Sequence, residues 1–210
     1  NLSGSIPASV FNISTLQDFT CVANSLSGNL PSDMGKKVPN LETLHFGMNN
    51  LSGNIPVSIS NASKLTILDI SNNGFSGPIP NALGNLGSLN LLSLGGNNLI
   101  IESSSSELVF LTSLTKCRNL TELVIGENPL NGTLPASIGN FSTSLQIFYS
   151  SGCNIRGTIP DQIGNLTRVS LLSLSDNNLV GTIPSTIDGL QSLQQLYLDN
   201  NKITGSVPDN

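Results

Sequence analysis

One short pattern of apolar and polar positions returns along the whole chain. It is L-x-x-L-x-L-x-x-N, seen as LETLHFGMN ending at Asn49, LTILDISNN ending at Asn73 and LNLLSLGGN ending at Asn97. It recurs as LTELVIGEN ending at Asn128, VSLLSLSDN ending at Asn177 and LQQLYLDNN ending at Asn201, with a degenerate copy, LQDFTCVAN, ending at Asn24. The central L-x-L alternates with period two, which predicts a short strand with leucines inward and the intervening residues outward. One such unit cannot bury its own apolar side, but a stack of units can. The expectation is therefore a solenoid of parallel strands about 4.8 Å apart, forming a ribbon roughly 40 Å long.

The segments between the strands repeat as well. The phrases SGSIP, SGNLP, SGNIP, SGPIP, NGTLP, RGTIP, VGTIP and TGSVP place prolines at Pro7, Pro31, Pro56, Pro80, Pro135, Pro160, Pro184 and Pro208, 24 or 25 residues apart except for one gap of 55. Glycine tolerates turn backbones, and proline fixes φ and removes a donor, so each phrase should turn the chain. The stretches that follow, such as DQIGNLTRVS, suit a 3₁₀ or short helical turn on the convex side. The long gap holds one irregular unit of 31 residues, around 98–128, which lacks the G-x-I-P phrase and contains the polar stretch Ser103–Ser106.

The recurring Asn follows the strand, where its amide offers donor and acceptor to backbone groups left inside. Asn24, Asn49, Asn73, Asn97, Asn128, Asn177 and Asn201 are expected to form a ladder, with Cys153 in the same slot of LQIFYSSGC. Ser150 stands there in place of an inward aliphatic residue, which predicts the softest of the regular units. Cys21, Cys117 and Cys153 are odd in number and far apart, and read as buried small hydrophobes rather than a disulfide framework.

Charge narrows the range of partners. Only 10% of residues are charged and the net charge is −5, which argues against nucleic acid. No apolar run is long enough to span a bilayer, so no membrane contact by this segment is expected. No kinase signature, metal cluster or other cofactor site is legible, and the chain is expected not to be an enzyme. Asp176 and Asp199, on neighbouring units, were the nearest approach to a carboxylate pair, but no sugar cleft accompanies them. Eight N-x-S/T sequons, at Asn1, Asn12, Asn50, Asn61, Asn119, Asn131, Asn140 and Asn165, point to a secreted glycoprotein.

Phase also sorts the charges. Asp18, Glu42, Asp69, Glu122, Glu127, Asp176 and Asp199 are expected on the concave sheet, and no Lys or Arg with them. Tyr149 and Tyr197 share one outward phase with His45. Together His45, Asp69, Glu122, Glu127, Tyr149, Asp176, Tyr197 and Asp199 form the candidate binding set for a basic peptide or protein.

The unit as a whole resembles the plant-specific leucine-rich repeat, whose G-x-I-P phrase sets it apart from most animal and bacterial repeats. FLTSLTKCRNL followed by LNGTLPASIGNFSTSLQ is similar to the corresponding region of immune-type plant receptor kinases, the group of flagellin and elongation-factor sensors. The resemblance implies an α/β solenoid: a right-handed superhelix with a concave parallel sheet, extra strands from the G-x-I-P segments and 3₁₀ or short helical turns on the convex side. It also implies a ligand-recognition segment of a cell-surface receptor, with a peptide or protein ligand and a co-receptor kinase as partners. Family ectodomains carry cysteine-paired caps that this sequence lacks. It therefore reads as one uncapped array over 1–210 with about eight strand-bearing repeats, internal to a longer ectodomain. Two other readings stay open, a polygalacturonase-inhibitor-like soluble wall protein and a scaffold without a ligand.

Overall fold

The computed structural model describes residues 1–102 and 106–206, so Ser103–Ser105 and Pro208 lie outside the described residues. Each L-x-L becomes a three-residue strand: Asp18–Thr20, Thr43–His45, Ile67–Asp69, Leu91–Ser93, Glu122–Val124, Ile147–Tyr149, Leu171–Ser173 and Gln195–Tyr197. They build an 8-stranded parallel sheet in which each strand pairs with those of the adjoining coils. The register is constant from coil to coil, with Leu44 opposite Leu68, Leu68 opposite Leu92 and Leu92 opposite Leu123. The fold is an α/β solenoid with this sheet on its concave side.

Aliphatic columns stacked coil on coil make the core. Leu44, Leu68, Leu92, Leu123, Phe148 and Leu172, at the centres of successive strands, have no exposed surface. At the amino-terminal end the column starts with Phe19, which meets Phe46, the next inward residue of the adjoining coil, edge to face at 4.7 Å between ring centroids. Such contacts add to the area term at roughly 1 kcal/mol.

Each proline phrase starts the convex turn in the same way. Pro160 holds φ at −71° at the head of the 3₁₀ turn Asp161–Asn165, and its carbonyl accepts the N–H of Ile163 at 2.9 Å. Equivalent turns span Ala8–Asn12, Val57–Asn61, Asn81–Asn85, Ala136–Asn140 and Ser185–Gly189. Two units use short α-helices instead, Met34–Lys37 and Val109–Leu114, the latter in the 31-residue unit. The glycine in these turns is a packing requirement. A Cβ on Gly164 would overlap the carbonyl oxygen of Thr186 in the next coil, and one on Gly84 would overlap that of Ser113.

The segments after the ladder position, most of them leading into G-x-I-P, form a second layer of pairing on the flank. Ser3–Ser5, Ser25–Asn29, Asn50–Asn54, Gly74–Pro78 and Asn98–Ile100 make a 5-stranded parallel sheet, and Arg156–Gly157, Asn178–Gly181 and Lys202–Ile203 make a 3-stranded one. Between them, among the described residues, the single bridges of Thr133 to Glu107 and to Arg156 carry the pairing across the long unit.

Candidate functional site

The ladder fixes the backbone on which any concave site must rest. Asn97 Nδ2 donates to the carbonyls of Ile70 (3.1 Å) and Leu94 (2.9 Å), and its Oδ1 accepts the N–H of Phe75 at 3.0 Å. Asn128 repeats this one coil on, with Leu94 and Ile125 as acceptors and Leu99 as donor. Asn49, Asn73, Asn177 and Asn201 make the corresponding bonds, and Asn24 accepts from Leu2. Each amide thus satisfies backbone groups of two coils that would otherwise be stranded.

Cys153 fills the slot only in part. Its Sγ lies 3.3 Å from the carbonyl of Ile125 and 3.5 Å from that of Ser151, so the donor half is imitated. The acceptor half is missing. The N–H of Leu130, which a ladder Asn would take, turns back to the carbonyl of Asn128 at 2.8 Å. The flanking sheet is interrupted at this coil. Ser150 is fully buried and points its hydroxyl at the carbonyl of Ser173. Burial pushes the thiol of Cys153 up to about 12 and that of Cys117 up to about 11, so both stay neutral at physiological pH.

Strand alternation leaves two outward rows on the concave sheet. The first reads Asp18, Thr43, Ile67, Leu91, Glu122, Ile147, Leu171 and Gln195, each in register with the next. The second reads Thr20, His45, Asp69, Ser93, Val124, Tyr149, Ser173 and Tyr197. No Lys or Arg stands in either. The rows are not simply acidic, however. Ile67, Leu91, Val124, Ile147 and Leu171 are half-buried aliphatic residues facing outward. The expected acids are thus interleaved with apolar residues that the phase argument did not place outward.

The candidate residues fall into three settings. Asp69, Glu122, Tyr149, Tyr197 and His45 lie in the rows, as does Asp18. Glu42 directly precedes its strand. Glu127 (φ 55°) and Asp176 (φ 54°) lie beyond the strand in left-handed turn positions on the rim, with Asp199 also past its strand. Two local networks hold some of them. His45 Nε2 is 2.8 Å from Asp69 Oδ2, and Asp69 Oδ1 accepts from the hydroxyl of Ser71 at 2.7 Å and from its N–H at 2.9 Å. Asp176 and Asp199 are linked by the amide of Asn200, which donates to Asp176 at 2.7 Å, and Ser175 donates to Asp199. A bridging amide on a rim is no catalytic pair.

All eight sequon asparagines are exposed and none lies in the concave rows. Asn12, Asn61, Asn140 and Asn165 each end a 3₁₀ turn of the convex ridge. A depression of about 650 Å³ is off the concave face, on the flank beside Asn29, Asn54, Pro56, Val57, Pro80 and Glu102. Its described lining is apolar apart from Asn29, Ser32, Asn54 and Glu102.

Comparison with known proteins places this geometry among receptors. The family described as leucine rich repeat matches residues 143–203, and its single-repeat form matches 40–62, 64–86 and 119–141. The LRR receptor-like serine/threonine-protein kinase EFR of Arabidopsis thaliana is 45% identical over 86 residues, covering 40% of this chain and 8% of EFR. Receptor-like protein kinase 7 of the same plant is 40% identical over 143 residues, covering 68% of this chain and 14% of that protein. Among solved structures, the Arabidopsis receptor kinase HAESA in complex with the peptide hormone IDA and the co-receptor SERK1 superposes with a TM-score of 0.88. It is 33% identical, over 98% of this chain and 34% of that one. The chain thus spans a small part of the length of each relative.

Proposed function

This chain belongs to the leucine-rich-repeat family and resembles the immune-type plant receptor kinases, and from that premise we propose that it is a ligand-recognition segment of a receptor ectodomain. It binds an extended peptide or protein, basic in character, on the concave sheet outside the cell. The parent protein is then a receptor-like kinase that signals at the cell surface, in immunity or development, with a co-receptor kinase recruited by the ligand. HAESA, seen with both a peptide hormone and a co-receptor, supports the reading by likeness. The exposed sequons on the convex ridge and flanks support an extracellular setting and keep any glycans off the binding face.

One observation carries the proposal. Eight strands hold their outward side chains in fixed register, and these rows contain Asp18, Asp69 and Glu122 but no Lys or Arg. A rigid surface of one sign attracts a ligand of the other and spreads its contacts over several coils. The test is retention of a basic and an acidic peptide pool on the immobilised chain at low and high salt. The basic pool is expected to be held at low salt and released as salt rises. Equal retention of both pools contradicts the proposal.

A further inference from the structure

The aliphatic residues of the first outward row lie outside the buried core. Ile67, Leu91, Ile147 and Leu171 stand on the solvent side of the sheet, with Glu122 in register between Leu91 and Ile147. Their inward neighbours Leu68, Leu92, Phe148 and Leu172 already complete the core with no exposed surface. In the same column other coils carry Thr43 and Gln195, so the fold accepts polar residues there. Beyond this row, beside the second one, is a depression of about 170 Å³, lined by Ser93, Val124, Tyr149, Gly95, Gly126 and Glu127. That is below the roughly 300–1,000 Å³ of a small-molecule pocket, and suits one side chain of a larger ligand.

We propose that this face selects an extended peptide carrying a basic residue flanked on both sides by apolar ones. The basic side chain meets Glu122, and the flanking apolar side chains cover Leu91 and Ile147, one of them reaching the depression against Tyr149. Charge complementarity chooses the occupant. Glu122 within the patch, Asp69 two residues past Ile67 and Glu127 on the rim supply negative charge there; neither row holds a Lys or Arg, and Arg168 lines a separate depression with Gln146 and Ser170 just before the strands. Covering aliphatic surface around an ion pair also removes water from it, which strengthens the pairing and adds the area term. An acidic or wholly polar peptide gains neither.

The inference rests on the concave-face reading above, and its test separates the two. Random nonapeptides displayed on phage are selected on the full chain, and the retained sequences are measured on Leu91→Thr, Ile147→Thr and, as a control, Val57→Thr. Val57 is 63% exposed and lies off the face, beside the flank depression. The expected result is enrichment of Lys or Arg between Leu, Ile or Phe. Affinity should fall about tenfold in each row variant, with no change in the control and unchanged melting temperatures. Retained peptides that are basic without apolar neighbours, or that bind Leu91→Thr and Ile147→Thr normally, overturn the inference and leave the basic-ligand reading standing. Retention of no peptide overturns both.

Discussion

Asn97 ties its own coil to the preceding one with a single side chain. It gives hydrogens to two coils and takes one back from Phe75, all in a buried setting. Removing a partner there leaves buried donors and acceptors unmet, at about 1–3 kcal/mol each. Asn97→Ala is therefore expected to destabilise the chain by about 3 kcal/mol or more. Cys153→Ala should cost about 1 kcal/mol, because that coil has already rerouted the N–H of Leu130 to Asn128. Denaturant unfolding of the two variants measures the difference, and equal losses would deny the ladder its structural part. The outward face shows where single residues were hard to read. Asp18, Asp69 and Glu122 could be placed by phase because no acid belongs in the core, whereas Glu42, Glu127, Asp176 and Asp199, expected on the sheet, fall just outside its strands. Ile67, Leu91 and Leu171 could not be placed by phase, because a leucine-rich pattern assigns every aliphatic residue inward. The doublets Ile67–Leu68, Leu91–Leu92 and Leu171–Leu172 carried the missing signal, since two neighbours in a strand cannot both face the core.

The elements follow from sequence where each unit repeats its neighbour, and depart from it where one unit differs. Strand, proline-led turn and return segment were legible because every coil solves the same burial problem with the same residues. The break in the flanking sheet was not legible. It arises where Cys153 withdraws an acceptor and the described residues of the long unit pair with Thr133 by a single bridge at Glu107. The turn glycines were legible as punctuation, but not as contacts between coils. Gly164→Ala forces its Cβ onto the Thr186 carbonyl and should cost about 2 kcal/mol as overpacking. Gly87→Ala, with open space around it, should leave the melting temperature unchanged. A silent Gly164→Ala would mean that adjacent turns are not held in contact.

At the scale of the whole molecule, stability and recognition occupy opposite sides of the same strands. Inward columns and the amide ladder fix the backbone, so substitutions in the outward rows can retune binding without loosening the fold. The short reach of electrostatics at physiological salt, about 8 Å, makes the position of a charge decisive rather than the net charge alone. This gives a direct measurement of where the ligand sits. Glu122→Lys on the concave sheet and Asp161→Lys on the convex ridge change the net charge equally, and the affinity of the same basic peptide pool is determined for both at that salt. The account predicts that Glu122→Lys loses roughly tenfold or more in affinity while Asp161→Lys binds as the parent chain does. Equal losses in the two variants, or a loss confined to Asp161→Lys, would contradict recognition on the concave face.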